Sequence, residues 1–514
     1  MDQRPAQAQA LRGAGREPKG RPDGQRGRVA PAGADQMSSF LGKPFARARA
    51  HDPGGHRLLG LTEEGHHPIF GPKGHALLAS AAGGGKTTCG AMPWLLSLAA
   101  SEPEKATLIF DCKNGEIALQ AATMFAAKGR IVRIIDDMNT CPGLAQFRVQ
   151  LNAFGSASAA YKRDPREVLY ANETITHALL EEPAGDAKNR YWRDDPRGKI
   201  AFANNVMLAR NPDRATPGAA ASILSDPDMM LSLAEIEAEE GTPMLQAQAR
   251  DYLASIGHEH HPQHMTEAKR ALRHFAPGTL LHDAGQDASI THADLIREGA
   301  IIFLVGPMAH MNRLGSYFAL HINAFCDALY SGAGALRVIA DEFTNIPLKS
   351  LVESLTTLRA YSCEVYLIYQ SRSEVIRRFG KLECETIEEN CIVKQWFGFS
   401  SFAEAERISK AMGNEHAVAT SLSGDSHGLK TQTNLSLIKQ PRMSPAELMA
   451  MPRTHQLIHI KGLGFVLALT VGQHHIAPYC DLLAPNPLEG GVLQSDPKIT
   501  LVTPDVPSST RGGS

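Results

Sequence analysis

The chain has 514 residues, of which 43% are hydrophobic and 21% are charged, and its formal net charge is −2. This length allows two or three domains with a large buried core, and the small net charge excludes a protein that coats nucleic acid with its whole surface. The eight cysteines are scattered without a Cys-x-x-Cys pair, which favours reduced thiols over a zinc site or a disulfide framework. No apolar run approaches the roughly 18 residues of a membrane span, so we expect no transmembrane segment in this chain.

Residues 1–50 have a distinct composition, rich in Arg, Gly, Pro, Ala and Gln, with ten Lys or Arg against four Asp or Glu. The few apolar side chains cannot offset the entropy lost on ordering such a segment. We predict a basic disordered arm, which is either a solvated tail or a contact for nucleic acid or acidic lipid.

A glycine-rich turn follows the apolar strand predicted at His75–Ser80 and precedes the helical pattern of Cys89–Ala100. This layout is typical of a P-loop, whose backbone N–H groups point at phosphates while a lysine reaches the β- and γ-phosphates and a hydroxyl holds Mg²⁺. Ser80 stands where the strict pattern has glycine. The predicted nucleotide-binding residues are Ala82, Gly83, Gly84, Gly85, Lys86, Thr87 and Thr88.

Apolar strands alternate with a helix in the rest of residues 51–150. Thr107–Asp111 and Arg130–Asp136 are predicted strands, and Glu116–Lys128 is a predicted helix. Short, continuously apolar strands separated by helices indicate parallel strands that are buried on both faces. We therefore assign 51–150 to the first part of a nucleotide-binding domain.

Residues 151–290 contain helical patterns and no convincing strand. Thr242-Pro243 opens the clearest helix, with an N-cap, a proline at the first helical position and apolar residues at helical spacing up to Gly257. Asp226-Pro227 opens another helix in the same way. The segment is predicted to be an all-α domain inserted into the α/β fold.

Strand patterns return in residues 291–484, the predicted second part of the nucleotide-binding domain. The polar segment Val418–Gln440 is predicted to be a mobile loop, and Gln456–Ile460 with Phe465–Val471 a late hairpin. Residues 485–514 are rich in Pro, Gly and Ser and are predicted to be a disordered tail. The other predicted strands are Ala300–Gly306, Leu336–Asp341, Glu364–Gln370 and Cys391–Phe399.

Acidic and polar residues end two of these strands. Asp341 follows an apolar strand and has the position of the Walker B aspartate that orients Mg²⁺. Glu342 beside it is a candidate base for activating a water molecule, and Gln370 ends the next strand, where it could sense the γ-phosphate. Arg359, between the two strands, is a candidate arginine that reaches the nucleotide of a neighbouring subunit.

In this order, the motifs resemble those of the type IV secretion coupling proteins, the TraG- and TraD-like ATPases of bacterial conjugation. Asn114 is an insertion relative to the Asp-x-Lys-Gly-Glu pattern of that family. The matching segments are 77–87, Asp111–Glu116, Tyr191-Trp192, Asp341–Phe343, Leu358–Tyr361, Tyr369–Ser371, Phe397–Phe399 and Ser444–Leu448.

The resemblance implies a RecA-like P-loop NTPase with a mostly parallel sheet, interrupted by the all-α domain. It implies ATP and Mg²⁺ as cofactors, with Lys86 on phosphate, Thr87 and Asp341 on the metal, and Glu342, Gln370 and Arg359 as catalytic or sensing groups. It further implies a homo-hexamer that moves single-stranded DNA, or a DNA–protein complex, and that contacts relaxosome or secretion-channel proteins.

Most members of that family carry N-terminal transmembrane helices, where this chain has the basic arm. We therefore expect a cytoplasmic protein, or one held at the inner membrane through a membrane-protein partner. Three alternatives remain: a coupling ATPase for protein effectors, a related DNA-pumping translocase, and a nucleotide-gated receptor or scaffold with negligible turnover. A small-molecule kinase is disfavoured by Glu342 and by the large helical insertion.

Two further groups of residues have less specific patterns. The histidine-rich segment His258–His264 lacks a regular metal-ligand spacing and is predicted to be a polar surface loop. Basic residues at predicted loops are candidate DNA contacts, although a solvated charge is the favoured interpretation of each. They are Lys73, Lys113, Arg372, Arg377 and Arg378.

Overall fold

The structure is a computed structural model that describes residues 57–64, 66–181, 187–311, 313–346, 349–424, 431–488 and 497–501. The predicted basic arm of residues 1–50 lies outside this range, as do residues 489–496 and 502–514 of the predicted tail. Within the described ranges, no helix has the length and apolar character that spanning a bilayer requires.

The strands are short, as expected for a sheet whose connections are helices. They are β1 Arg57–Leu61, β2 Pro68–Gly71, β3 Ala76–Ala79, β4 Ala106–Asp111, β5 Val132–Ile135, β6 Ile301–Val305, β7 Leu336–Ala340, β8 Cys363–Tyr369, β9 Val393–Trp396, β10 Asn414–Gly424, β11 Thr431–Pro441, β12 His455–Ile460, β13 Gly464–Leu469, β14 Ile476–Ala477 and β15 Ile499–Thr500.

The helices connect these strands and form the segment between β5 and β6. They are α1 Met92–Ser101, α2 Glu116–Ala127, α3 Gly155–Arg163, α4 Val168–Leu179, α5 Tyr191–Arg210, α6 Pro217–Ser225, α7 Pro227–Glu240, α8 Pro243–Ser255, α9 His261–Ala271, α10 His292–Arg297, α11 Gly315–Tyr330, α12 Lys349–Leu358, α13 Arg372–Phe379, α14 Lys381–Asn390, α15 Phe402–Met412 and α16 Pro445–Met449.

Eleven strands of the described residues form one sheet in the order β2-β1-β13-β12-β9-β3-β8-β7-β4-β6-β5. The seven strands from β9 to β5 are parallel, and the two hairpins β12–β13 and β1–β2 extend the sheet in antiparallel fashion. The prediction of a mostly parallel α/β sheet is confirmed. Because parallel strands end at a common edge, the residues that follow β3, β4, β7 and β8 lie close together.

The parallel strands are buried on both faces, and successive side chains contribute to different hydrophobic clusters. Phe110 of β4 packs in the cluster that includes Phe154 and Phe318, while its neighbour Ile109 packs with Trp94 of α1. Every residue of β6 is buried. This two-sided burial explains why the strands are continuously apolar in sequence.

Helices and no strand occupy the described residues from Gly155 to Arg297. As predicted, Thr242 caps α8 by accepting a hydrogen bond from the Leu245 N–H, and Asp226 caps α7 through the N–H groups of Asp228 and Met229. These helices share one hydrophobic cluster with the sheet, because Ile200 of α5 belongs to the same cluster as Phe110. The helical segment therefore packs on the sheet as part of a continuous core.

Three expectations for less regular segments are wrong. The predicted mobile loop Val418–Gln440 contributes most of β10 and β11, an antiparallel ribbon paired only with itself, with residues 425–430 outside the description. Within the predicted disordered tail, β15 pairs with β14, and Ile499 and Leu501 are buried. The predicted surface loop His258–His264 runs into α9, where His264 is buried with its Nδ1 2.6 Å from Asp195.

Candidate functional site

The P-loop begins where β3 ends and leads into a helical turn, Lys86–Ala91, that continues as α1. Gly85 has a φ of 82°, a left-handed conformation that favours glycine. A Cβ on Gly84 would lie 2.2 Å from Ser80 Oγ and 3.0 Å from the Ala81 carbonyl oxygen. The turn is thus tight enough to require these glycines, and it leaves the first N–H groups of the helix available for an anion.

The lysine and threonine of this loop point towards the acidic residues that follow β7. Thr87 Oγ1 donates a 2.9 Å hydrogen bond to Asp341 Oδ2, across 254 residues of sequence. Lys86 Nζ lies 3.6 Å from Glu342 Oε1 and 3.4 Å from the Ser80 carbonyl oxygen. These four residues, Lys86, Thr87, Asp341 and Glu342, are each at most 8% exposed, so the two predicted motifs meet in one enclosed place.

Glu342 adopts a left-handed backbone conformation with a φ of 55° and is held by neighbours on both carboxylate oxygens. Its Oε1 accepts a 3.3 Å hydrogen bond from Gln370 Nε2, and its Oε2 accepts one of 3.1 Å from Asn345 Nδ2. Gln370 therefore lies in the site as predicted, where it orients the candidate base.

Lys113 is the main residue of this site whose place the sequence did not reveal. Its Nζ lies 3.0 Å from Asp341 Oδ2, 3.2 Å from Glu342 Oε1 and 3.1 Å from Thr87 Oγ1. We considered it a candidate DNA contact, but its side chain is only 16% exposed and engages the acidic pair. The missed signal is its position two residues after the end of β4, since β4 is the neighbour of β7.

Burial and ion pairing set the protonation of these groups. Burial lowers the pKa of Lys86 below its usual value of 10.5, although the Glu342 carboxylate opposes this. For Lys113 burial acts in the same direction, but Asp341 and Glu342 outweigh it, and the pKa of Lys113 is raised. Burial alone would raise the pKa of Glu342, but the nearby Lys113 and Lys86 outweigh burial and lower the pKa below its usual value of 4.5. The Glu342 carboxylate is therefore ionised at neutral pH.

Arg359 lies away from these residues. It belongs to a short turn, Arg359–Tyr361, that precedes β8, and its side chain is exposed. Since Gln370 follows the opposite end of β8, Arg359 is at the other edge of the sheet. Within one chain it does not contact the site, so any role in hydrolysis requires a neighbouring subunit.

The site suits a nucleoside triphosphate and Mg²⁺. Asp341 Oδ1 is buried and makes no hydrogen bond, leaving a free carboxylate oxygen beside the Thr87 hydroxyl. Mg²⁺ is commonly held by one or two such oxygens together with water and substrate phosphates, not by an all-protein cage. Among the described residues, no three His, Cys, Asp or Glu side chains are grouped so that they could hold a metal ion by themselves.

The chain resembles known proteins in one segment of its sequence and in its fold. Residues 335–453 match the family model described as the TraM recognition site of TraD and TraG. No curated protein sequence matches the chain.

Solved structures of the conjugative coupling protein TrwB share the fold. The unbound TrwBdeltaN70 has a TM-score of 0.56 and 16% identity, with 85% of this chain and 91% of that chain covered. TrwB with ADP and Mg²⁺ has a TM-score of 0.54 and 14% identity, covering 85% and 92%. TrwB with the ATP analogue ADPNP has a TM-score of 0.55 and 14% identity, covering 77% and 85%. The solved structures confirm the predicted α/β fold, and the family model confirms the resemblance to TraD and TraG over residues 335–453.

Proposed function

We propose that this chain is an ATP-hydrolysing coupling protein that recruits DNA, or a DNA–protein complex, and moves it to a type IV secretion or conjugation channel. The observation that carries the proposal is the junction of Lys86 and Thr87 with Asp341 and Glu342 in one buried site. The family-model match and the TrwB folds, including those with ADPNP and with ADP and Mg²⁺, support ATP and Mg²⁺ as the cofactors.

Each residue has a role in this reaction that follows from its position. Residues Ala82–Thr88 bind the phosphates, Lys86 neutralises the charge that develops on the γ-phosphate, and Thr87 and Asp341 hold the metal. The bound Mg²⁺ supplies Lewis-acid stabilisation of the phosphate oxygens. Glu342 orients the attacking water and accepts its proton, while Gln370 keeps the Glu342 carboxylate in place.

Arg359 has a role only in an assembly. Exposed at the sheet edge opposite Gln370, it is available to a neighbouring protomer and not to its own site. We infer that ATP lies between protomers of a homo-hexamer and that Arg359 of one protomer completes the site of the next. Such trans-acting arginines stabilise transition-state charge in other P-loop enzymes.

The organisation and partners follow from the same proposal. The nucleotide-binding domain comprises 51–150 and 291–484, and the all-α domain 151–290 contacts the complex to be transferred. The match of residues 335–453 to a TraM recognition model supports a relaxosome protein as one partner. We place the protein in the cytoplasm, at the inner membrane when a membrane-protein partner binds it.

Phosphate release measured with and without single-stranded DNA tests this function. The wild-type protein should hydrolyse ATP faster with DNA, and Lys86→Ala should lose hydrolysis almost completely in both conditions. A wild-type rate that is indifferent to DNA would favour protein effectors as the substrate, and negligible turnover under all conditions would favour a nucleotide-gated receptor. Turnover retained in Lys86→Ala would contradict the P-loop assignment.

A further inference from the structure

The Lys113 ammonium group contacts Thr87 and Asp341, the two residues that would hold the metal ion, and Glu342 beside them. Thr87 Oγ1, Asp341 Oδ2 and Glu342 Oε1 all lie within 3.2 Å of its Nζ. Glu116 is a third carboxylate at 3.9 Å. The protein therefore places its own positive charge, the Lys113 ammonium group, among these oxygen atoms.

The backbone next to Lys113 is held by hydrogen bonds of Asn114. Asn114 has a φ of 58°, its N–H donates to the Gly306 carbonyl oxygen at 3.2 Å, and its Oδ1 accepts a 2.9 Å hydrogen bond from the Met308 N–H. These bonds fix the loop to the end of β6. A lysine ammonium on a four-carbon stem can nevertheless change position without movement of the backbone.

We propose that Lys113 is an internal counter-ion that occupies the metal position in the nucleotide-free protein and that Mg²⁺ must displace when it enters with nucleotide. The consequence for hydrolysis rests on the proposed function. Until Lys113 is displaced, it holds both Asp341 and Glu342, so Asp341 is not free to bind the metal and Glu342 is not free to orient the water. Lys113 is thus a positioning residue that holds the acidic pair until the metal ion displaces it.

The balance of charges in the site indicates that Lys113 is a counter-ion for the two carboxylates and not only a side chain that fills space. Lys113 pairs with both Asp341 and Glu342, whereas Lys86 Nζ pairs with Glu342, at 3.6 Å. Two carboxylates in a buried site repel each other unless a cation lies between them. Mg²⁺ held by Thr87 and Asp341 would repel the ammonium group that contacts both of these residues, so the two cations would exclude each other.

The test measures binding of Mn²⁺ alone to nucleotide-free protein by electron paramagnetic resonance. Mn²⁺ accepts the same oxygen ligands as Mg²⁺. We expect Lys113→Met to bind Mn²⁺ at least about tenfold more tightly than the wild-type protein, because the competing charge is gone. Lys410→Met is the matched control, since Lys410 pairs with Glu406 on α15 and is 74% exposed; it should bind as the wild type does. Equal or weaker Mn²⁺ binding by Lys113→Met would overturn the proposal.

A charge-balanced pair of variants keeps the test decisive if Lys113→Met folds poorly. Glu342→Gln and the double variant Lys113→Met/Glu342→Gln differ only in the lysine, and the double variant removes one charge of each sign. Here too the variant without Lys113 should bind Mn²⁺ about tenfold more tightly, and equal affinities would refute the counter-ion. The Mn²⁺ binding measurements use no ATP. A wild-type protein that does not hydrolyse ATP would therefore refute the proposed function without changing the outcome of the counter-ion test.

Discussion

Replacing Glu342 with glutamine separates hydrolysis from nucleotide binding. The change keeps the shape of the side chain but removes the carboxylate that lies 3.6 Å from Lys86 Nζ and 3.2 Å from Lys113 Nζ. Because Lys113 and Lys86 hold the pKa of Glu342 below 4.5, the wild-type side chain is an ionised base at neutral pH. Glutamine cannot accept a proton from the attacking water.

The expected loss follows from the general-base role. Such groups contribute about 10²- to 10⁴-fold, so the kcat of Glu342→Gln should fall by that factor, which corresponds to about 3–5 kcal/mol in the activation barrier. Lys86, Thr87 and Asp341 remain, so the Kd for ATP with Mg²⁺ should change by less than about threefold, or under 1 kcal/mol.

Steady-state phosphate release and calorimetric nucleotide binding measure the two quantities on the same protein. Glu389→Gln is a suitable control, because Glu389 is an exposed residue of α14 and the substitution makes the same chemical change. A Glu342→Gln variant with kcat within about threefold of wild type would refute the base assignment. An affinity loss as large as the kcat loss would show that Glu342 acts in binding.

Two further predictions concern the P-loop and the helical segment. Gly84→Ala should weaken ATP binding, measured by calorimetry, at least about tenfold, because the added Cβ would lie 2.2 Å from Ser80 Oγ. Gly143→Ala is the control and should bind ATP normally, because no atom lies within 4 Å of its new Cβ; normal binding by Gly84→Ala would contradict the loop geometry. Thr242→Ala removes the side chain that caps α8 through the Leu245 N–H and should lower the free energy of unfolding by about 1 kcal/mol. Urea denaturation measures this change, and an unaltered midpoint would show that the cap contributes nothing.

Most of the fold could be predicted from strong periodic patterns in the sequence. The apolar strands before Ser80 and Asp341, and the capped helices at Asp226 and Thr242, are determined by local burial and capping, and they appear in the structure where they were predicted. The ribbon of β10 and β11 escaped prediction because, among the described strands, its two strands pair with each other and lie outside the main sheet. A strand outside that sheet does not need the apolar alternation that predicts a strand. The first hairpin, β1 with β2, was also not predicted, since its position depends on the distant strand β13.

The candidate site was predictable only in part for a related reason. A glycine-rich turn and an acidic strand end are local motifs, so Lys86, Thr87, Asp341 and Glu342 could be named from the sequence. Which loop side chain turns into the site depends on the strand order, and only the pairing of β4 with β7 brings Lys113 to Asp341.

The central claim is that the P-loop and the acidic pair close around one nucleotide and its metal. The most direct test is the dependence of ATP affinity on Mg²⁺ in the wild-type protein and in Asp341→Ala, measured by calorimetry with Mg²⁺ and with EDTA. We predict that Mg²⁺ tightens ATP binding to the wild type and that Asp341→Ala loses most of this effect, although residue 341 is 254 positions from Thr87. An equal Mg²⁺ effect in both proteins would show that Asp341 does not hold the metal, and the single site would be contradicted.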